Sequence, residues 1–397
     1  MNSHATIIRG ARVLTPGGAV LGDVRIEHGR IAAVGECLPS EPGIAVFSAR
    51  GRVLMPGFVD CHTHACWAGD RLDEWAGRLA GVPYLDILRA GGGIMATVRA
   101  VRDASLAELT AHLLDRLTRM LRGGTTTVEI KSGYGLTAAH ELKMLHAIAT
   151  AQSHWPGTIV PTALLGHAID PDVPDFVDRT IRETLPAVSA EFPGITIDAY
   201  CERGAWSVED CERLFVAARE AGHPVRVHAD QFNSLGMTPA AVRLGAVSVD
   251  HLEASTDADI AALGGATTFA VGLPLCGLHL ADGRFADLRR ASDAGARIAI
   301  ATNHNPGSAP SSSMPLAIGA AVRWCGLSPR GAIDAATRTP AALLAACGAE
   351  TDSRGEIRPG AWADLVLLRH TDERALAYEL GEDPVEEVWC GGVPVRG

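Results

Sequence analysis

The chain is 397 residues long, 47% hydrophobic and only 20% charged, with a formal charge of −11. That balance describes a large globular core and argues against nucleic acid or an anionic membrane as a partner, since both attract basic patches. No apolar run is long enough to span a membrane and residues 1–4 open no signal-peptide pattern, so a cytoplasmic protein is expected, its nine cysteines reduced and outside any C-x-x-C pair.

In chain order, the first fifty residues carry short β-rich runs at 5–13, 24–27 and 31–34, and the last forty carry similar runs at 363–368 and 388–395. Neither end has enough strands to bury a face alone. A small β-sandwich built from both termini, 1–56 with 355–397, is therefore expected around a central domain spanning 57–354. Within that centre, eight strand-like runs (58–62, 126–130, 159–164, 195–200, 225–228, 247–251, 267–271 and 298–302) alternate with helical stretches. Ser105 and Glu108 form a capping-box pattern ahead of Leu106, Leu109, Leu113, Leu114 and Leu117, with Gly123 beyond the end. Ser207 opens a helix that Gly222 stops, and Ser328 with Pro329 opens another. The count and length predict a (β/α)8 barrel. The competing doubly wound open sheet is disfavoured because no G-x-G-x-x-G follows a strand. About 60 residues separate the first two strands, with a turn-rich stretch at 65–93 ending in three glycines, and so long an excursion is expected to cover a site.

Barrels carry their chemistry at the carboxyl ends of strands. His62 and His64 end the first run, Lys131 follows the second, His167 lies past the third, His228 ends the fifth, His251 the sixth, and Asn303 follows the eighth. Residues i and i+2 of an extended chain point the same way, so His62 and His64 form the first half of a metal site. Any one of these histidines reads as an ordinary rim residue; together they indicate a metal centre. Three imidazoles and a weaker oxygen ligand suit one divalent ion, Zn²⁺ or Fe²⁺, which brings the pKa of water towards ~7. With no G-x-S-x-G elbow, serine-nucleophile chemistry has no support. Lys131 has two readings, a carboxylated lysine bridging two metals or an ion pair with Glu129 or another acid. His112, His140, His146, His154, His223, His279 and His370 fall on helices or loops and are assigned no function.

The run Pro56-Gly57-Phe58-Val59-Asp60-Cys61-His62-Thr63-His64 resembles the signature of the amidohydrolase superfamily, whose members join a terminal β-sandwich to a metal-bearing barrel. Gly69-Asp70-Arg71, the segment from Thr126 through Lys131-Ser132-Gly133-Tyr134-Gly135, Glu141-Leu142-Lys143, His228-Ala229-Asp230-Gln231, Asp250-His251-Leu252-Glu253 and Asn305-Pro306-Gly307-Ser308 are similar to the imidazolonepropionases within it. The resemblance implies one metal held by His62, His64, His228 and residue 303, and hydrolysis of 4-imidazolone-5-propanoate to N-formimino-L-glutamate. It gives Arg71 and Tyr134, with Tyr84 near by, contacts to the carboxylate arm of this small-molecule substrate. It places His167, Gln231, Asn305, Gly307 and Ser308 around the ring, with His251 balancing the oxyanion, Gln231 and Asn303 beside it in catalysis, and a homodimer as the assembly. Without the resemblance, Arg71 could equally pair with Asp70, Asp73 or Glu74, and Tyr134 could be packing.

One position departs from the pattern: the family has an aspartate where this chain has Asn303, and an amide has no basic site near neutral pH. Three readings follow. The chain is a variant made to trap ligand, or a relative whose proton transfer has moved to His304 or His251 with a changed ring such as a hydantoin- or thiohydantoin-propionate, or a protein that binds without turnover. A deaminase of the same superfamily is a further alternative.

Overall fold

Every expected strand of the central region forms, its ends displaced by no more than about two residues. The computed structural model describes residues 5–83, 86–87, 90–351 and 353–395. The chain begins with β1 (Thr6–Thr15), β2 (Gly18–Glu27), β3 (Arg30–Gly35), β4 (Ala45–Ser48) and β5 (Val53–Pro56). The central strands are β6 (Phe58–Asp60), β7 (Thr125–Lys131), β8 (Thr158–Gly166), β9 (Thr196–Cys201), β10 (Val225–Ala229), β11 (Ser248–His251), β12 (Phe269–Gly272) and β13 (Arg297–Ile300). Three more, β14 (Leu365–Leu368), β15 (Val385–Cys390) and β16 (Val393–Pro394), follow near the carboxyl end.

Strands β6 to β13 pair in parallel, each with its sequence neighbour, and at least one helix separates each from the next, as a (β/α)8 barrel requires. The first and last strands meet just past their ends. There Asn303 N donates to His62 O at 3.1 Å and His64 N to His304 O at 3.0 Å. Below this, Thr302 N and Oγ1 donate to the Asp60 carboxylate at 3.1 and 2.5 Å. The seam that closes the barrel is thus the stretch that carries His62, His64 and Asn303.

The helices start where their caps dictate. Ser105 and Glu108 satisfy each other's backbone N–H at the head of Leu106–Arg122, whose Leu109, Leu113 and Leu117 are buried. Ser207 caps Val208–Glu220 and Ser328 caps Pro329–Ala335. The long excursion after β6 is less irregular than its composition suggested, because it includes the helix Leu72–Leu79. That helix buries none of its residues, so its apolar spacing answers to no core. No helix among the described residues is long and apolar enough to cross a membrane.

The terminal strands form a single branched sheet in the order β16-β15-β14-β5-β1-β2-β3, with β4 added on β1. Strand β1 pairs with β4 along Thr6 to Arg9 and with β5 at Arg12 and Val13. In β5, β14 and β15 alternate residues serve two cores, as the two-residue period of a strand demands. Leu54, Leu365, Leu367 and Trp389 pack with Ile8, Val13, Val24 and Ile31 inside the terminal domain. Val53, Met55, Val366, Leu368 and Val388 join the barrel core instead, which fixes the small domain to the large one.

Candidate metal centre and its cavity

His62 and His64 leave β6 at i and i+2, and His228 stands on β10; their donor atoms lie within 4.8 Å of one another. His64 Nε2 and His228 Nε2 are 3.2 Å apart. His62 Nε2, His64 Nδ1 and Asn303 Oδ1 are buried with no hydrogen-bond partner among the described residues. Each such orphan costs roughly 1–3 kcal/mol unless something satisfies it. Burial, then Lys131, holds the His62 imidazole well below its ordinary pKa; burial, then His167, does the same for His64. The rings are therefore neutral, the form that ligates a metal. Three converging neutral imidazoles, two of them with an unsatisfied nitrogen, and an unsatisfied amide oxygen on the seam fit a divalent cation. Asn303 sits at φ +55°, a left-handed conformation that asparagine tolerates better than most residues.

Behind the imidazoles lies a buried ionic network set by strand alternation. Glu129 and Lys131 on β7, Asp198 on β9, Arg226 and His228 on β10, and Ser248 and Asp250 on β11 interact through their side chains inside the barrel. Asp250 Oδ2 lies 2.6 Å from His62 Nδ1, and Asp198 Oδ1 lies 3.2 Å from His228 Nδ1. Lys131 Nζ reaches Glu129 Oε1 and Asp198 Oδ2, each at 2.8 Å. Burial pushes the Asp198 carboxyl up, but Lys131, His228 and Arg226 outweigh it and hold it well below the usual range. Three carboxylates against Lys131 and Arg226 leave one negative charge facing two of the imidazoles, which favours a cation beyond them. The ammonium of Lys131 is committed to these two acids, in line with the ion-pair reading. Asp198 and Asp250 had no assigned role in the sequence; their signal was the inward period of two on β9 and β11.

A cavity of about 630 Å³ opens over the cluster. Its wall includes His64, His228 and Asn303 together with Arg71, Tyr134, His167, Gln231, His251, Asn305, Gly307 and Ser308. His62 lies fully buried behind it. Tyr84 falls outside the described residues. His304 is not on the wall; its ring packs edge-on against Trp67 at 4.9 Å, and burial pushes it down to about 3.

Of the acids adjacent to Arg71 in sequence, Glu74 is its partner, taking Nε and Nη2 at 2.7 and 2.5 Å while also accepting Gly93 N at 2.9 Å. This side-on pairing leaves Nη1 directed at Gly307, where an added Cβ would come within 2.6 Å of it. Tyr134 lies on a loop clamped by Glu141, whose carboxylate accepts Gly133 N, Gly135 N and Leu136 N at 2.8, 2.7 and 2.7 Å. His167 donates through Nδ1 to Gly133 O at 2.9 Å and stacks on His64 at 4.9 Å. Asn305 orders its own turn, accepting Gly307 N and Ser308 N at 2.8 Å each. Gln231 accepts the Tyr200 hydroxyl at 2.8 Å. His251, at φ +95°, and Leu252, at φ +74°, are consecutive left-handed residues, a strain of order 1–3 kcal/mol each that clusters at functional sites. Glu74, named from sequence only as one possible partner of Arg71, also lines the cavity, as do Tyr200 and Glu202, which were not singled out.

The amidohydrolase family matches residues 53–395. The chain is 43% identical over 387 residues to the imidazolonepropionase of Herpetosiphon aurantiacus, covering 94% of this chain and 90% of that protein. It is 41% identical over 370 residues to that of Deinococcus deserti, with 93% and 91% covered. Among solved structures, N-isopropylammelide isopropylaminohydrolase from Burkholderia multivorans superposes with a TM-score of 0.72 at 19% identity, over 99% of this chain and 98% of that one. Atrazine chlorohydrolase from Arthrobacter aurescens, complexed with zinc, gives 0.72 at 18% identity over 98% and 94%. At such identities these two structures speak for the fold, while the close sequence relatives speak for more: this chain belongs to the imidazolonepropionase family of the amidohydrolases.

Proposed function

We propose that the chain hydrolyses the ring C–N bond of 4-imidazolone-5-propanoate to N-formimino-L-glutamate, a step of histidine degradation. One divalent ion, Zn²⁺ or Fe²⁺, would be held by His62, His64, His228 and the amide oxygen of Asn303. The observation that carries this reading is a single cavity walled both by the histidine cluster and by a guanidinium suited to a carboxylate arm. A divalent ion at the cluster supplies Lewis acidity, acidifying water and polarising a carbonyl.

The chain's own groups do the rest. Arg71 keeps one edge for the propionate because Glu74 occupies the other, and the Tyr134 hydroxyl adds a donor. His167 and Gln231 flank the ring. Water adds to the ring carbonyl carbon, the C–N bond breaks, and one proton passes from the water to the leaving nitrogen. The Asn303 amide cannot carry that proton. His251 can: its Nδ1 faces Glu253, at 3.2 Å from each oxygen, so the other ring nitrogen is free to accept. As imidazolium opposite Glu253 it balances the oxyanion before releasing the proton.

The test is loss of ring absorbance for imidazolone-, hydantoin- and thiohydantoin-propionates on metal-loaded protein. Turnover of the imidazolone is expected; activity confined to another ring, or to an aminated one, would overturn the assignment.

A further inference from the structure

Behind His251 three donors from two elements converge. A nitrogen of His251, a carboxylate oxygen of Glu253 and Cys276 Sγ lie within 4.8 Å of one another. His251 ends β11, Glu253 lies in the turn that leaves it, and Cys276 belongs to the helix Pro274–Leu280. The Glu253 side chain is only 5% exposed. Among the described residues its one hydrogen-bond partner is His251 Nδ1, and no lysine or arginine pairs with it. A nearly buried carboxylate without a fixed cation is costly, and its surroundings call for one. Cys276, also buried, receives the Gln231 amide on its sulfur at 3.3 Å, with the Ser308 hydroxyl as a further polar neighbour, and no cation faces it among the described residues.

We propose that His251, Glu253 and Cys276 form a second site for a soft divalent cation, Zn²⁺ or Cd²⁺, whose occupancy inhibits the enzyme. The mixed nitrogen, oxygen and sulfur set selects such ions over Mg²⁺ or Ca²⁺. On binding, the thiol releases its proton to solvent as the metal–sulfur bond forms, and no electrons are transferred. An ion on the Nδ1 that faces Glu253 moves the ring proton to the other nitrogen, which then donates where it had accepted. Inhibition thus rests on the role proposed for His251, whereas the existence of the site does not.

The test is a Co²⁺ titration of metal-stripped protein, followed by absorbance and by activity. The first site offers no sulfur, so the first equivalent should give no thiolate-to-cobalt charge-transfer band. A second equivalent should bring that band while activity falls at least ~10-fold. Cys276→Ser should abolish the band, and Glu253→Gln should keep it but raise the second Kd at least ~10-fold, the scale even of an outer-shell loss. Binding that stops at one equivalent without a thiolate band, or a band that survives in Cys276→Ser, overturns the second site. A full second site with undiminished turnover overturns the inhibition.

Discussion

Asp250 grips His62 from behind, with Oδ2 2.6 Å from Nδ1, while Arg226 Nη2 holds the same oxygen at 2.7 Å. The carboxylate fixes which nitrogen of His62 carries the proton and leaves Nε2 as the donor to a metal. Asp250→Asn should therefore weaken metal affinity by roughly 10–100-fold. Metal content after dialysis against graded chelator checks this; wild-type retention would remove Asp250 from the site's support.

Asn303→Asp places a basic group on the closing seam. The expected gain in kcat is large, within the roughly 10²–10⁴ of a general base, provided metal is loaded in both proteins. Steady-state kinetics with metal analysis decides it. Equal kcat in the two proteins would mean that His251 alone carries the proton.

Arg71→Ala should raise KM for the propionate substrate by the equivalent of roughly 2–4 kcal/mol, with a smaller effect on kcat. Gly307→Ala should act in the same direction, since its Cβ would displace Arg71 Nη1. Unchanged KM in both variants would take the guanidinium out of substrate binding.

Glu141→Ala removes the acceptor for three buried backbone N–H groups on the loop carrying Tyr134. A stability loss of roughly 3 kcal/mol or more is expected, because each orphaned donor costs about 1–3 kcal/mol. Thermal unfolding beside the wild type measures it, and an unaltered Tm would contradict the clamp.

Metal-free protein should lose stability on mild acidification. His167 and His304, both pushed down to about 3 with burial the first cause, stay neutral when folded but take a proton near pH 6.5 when unfolded. His62, His64 and His228 are lowered in the same sense. The unfolded state therefore binds more protons below pH ~6.5, and stability falls from there towards pH ~3. Asp60, raised to about 7, and Asp230, raised to about 6, both first by burial, have the opposite sign, stabilising as pH drops. The imidazoles outnumber them, so Tm at about pH 5.5 should lie below that at about pH 7. A Tm that rises on acidification would mean these rings are not buried neutral.

The eight barrel strands were legible because each is a short apolar run bounded by turn residues, and the helix starts because Ser105, Ser207 and Ser328 satisfy local backbone donors. That His62, His64 and His228 converge was legible because barrel chemistry collects at strand ends. The helix Leu72–Leu79 was not, since it covers no core whose period could declare it. Nor was the choice of Glu74 for Arg71 among neighbouring acids, which depends on Gly93 donating to the same carboxylate from 19 residues away.

By itself, then, the sequence determined which residue types stand at the mouth of the barrel and which face of each strand turns inward, because both follow from local periods of two and 3.6 residues. Only the tertiary structure decided the partners: Asp250 for His62, Asp198 for Lys131 and His228, Cys276 beside His251, and His304 against Trp67 rather than on the cavity wall. Those pairings depend on parallel register and on loops folding back across the barrel, contacts between residues far apart in the chain that no local pattern encodes.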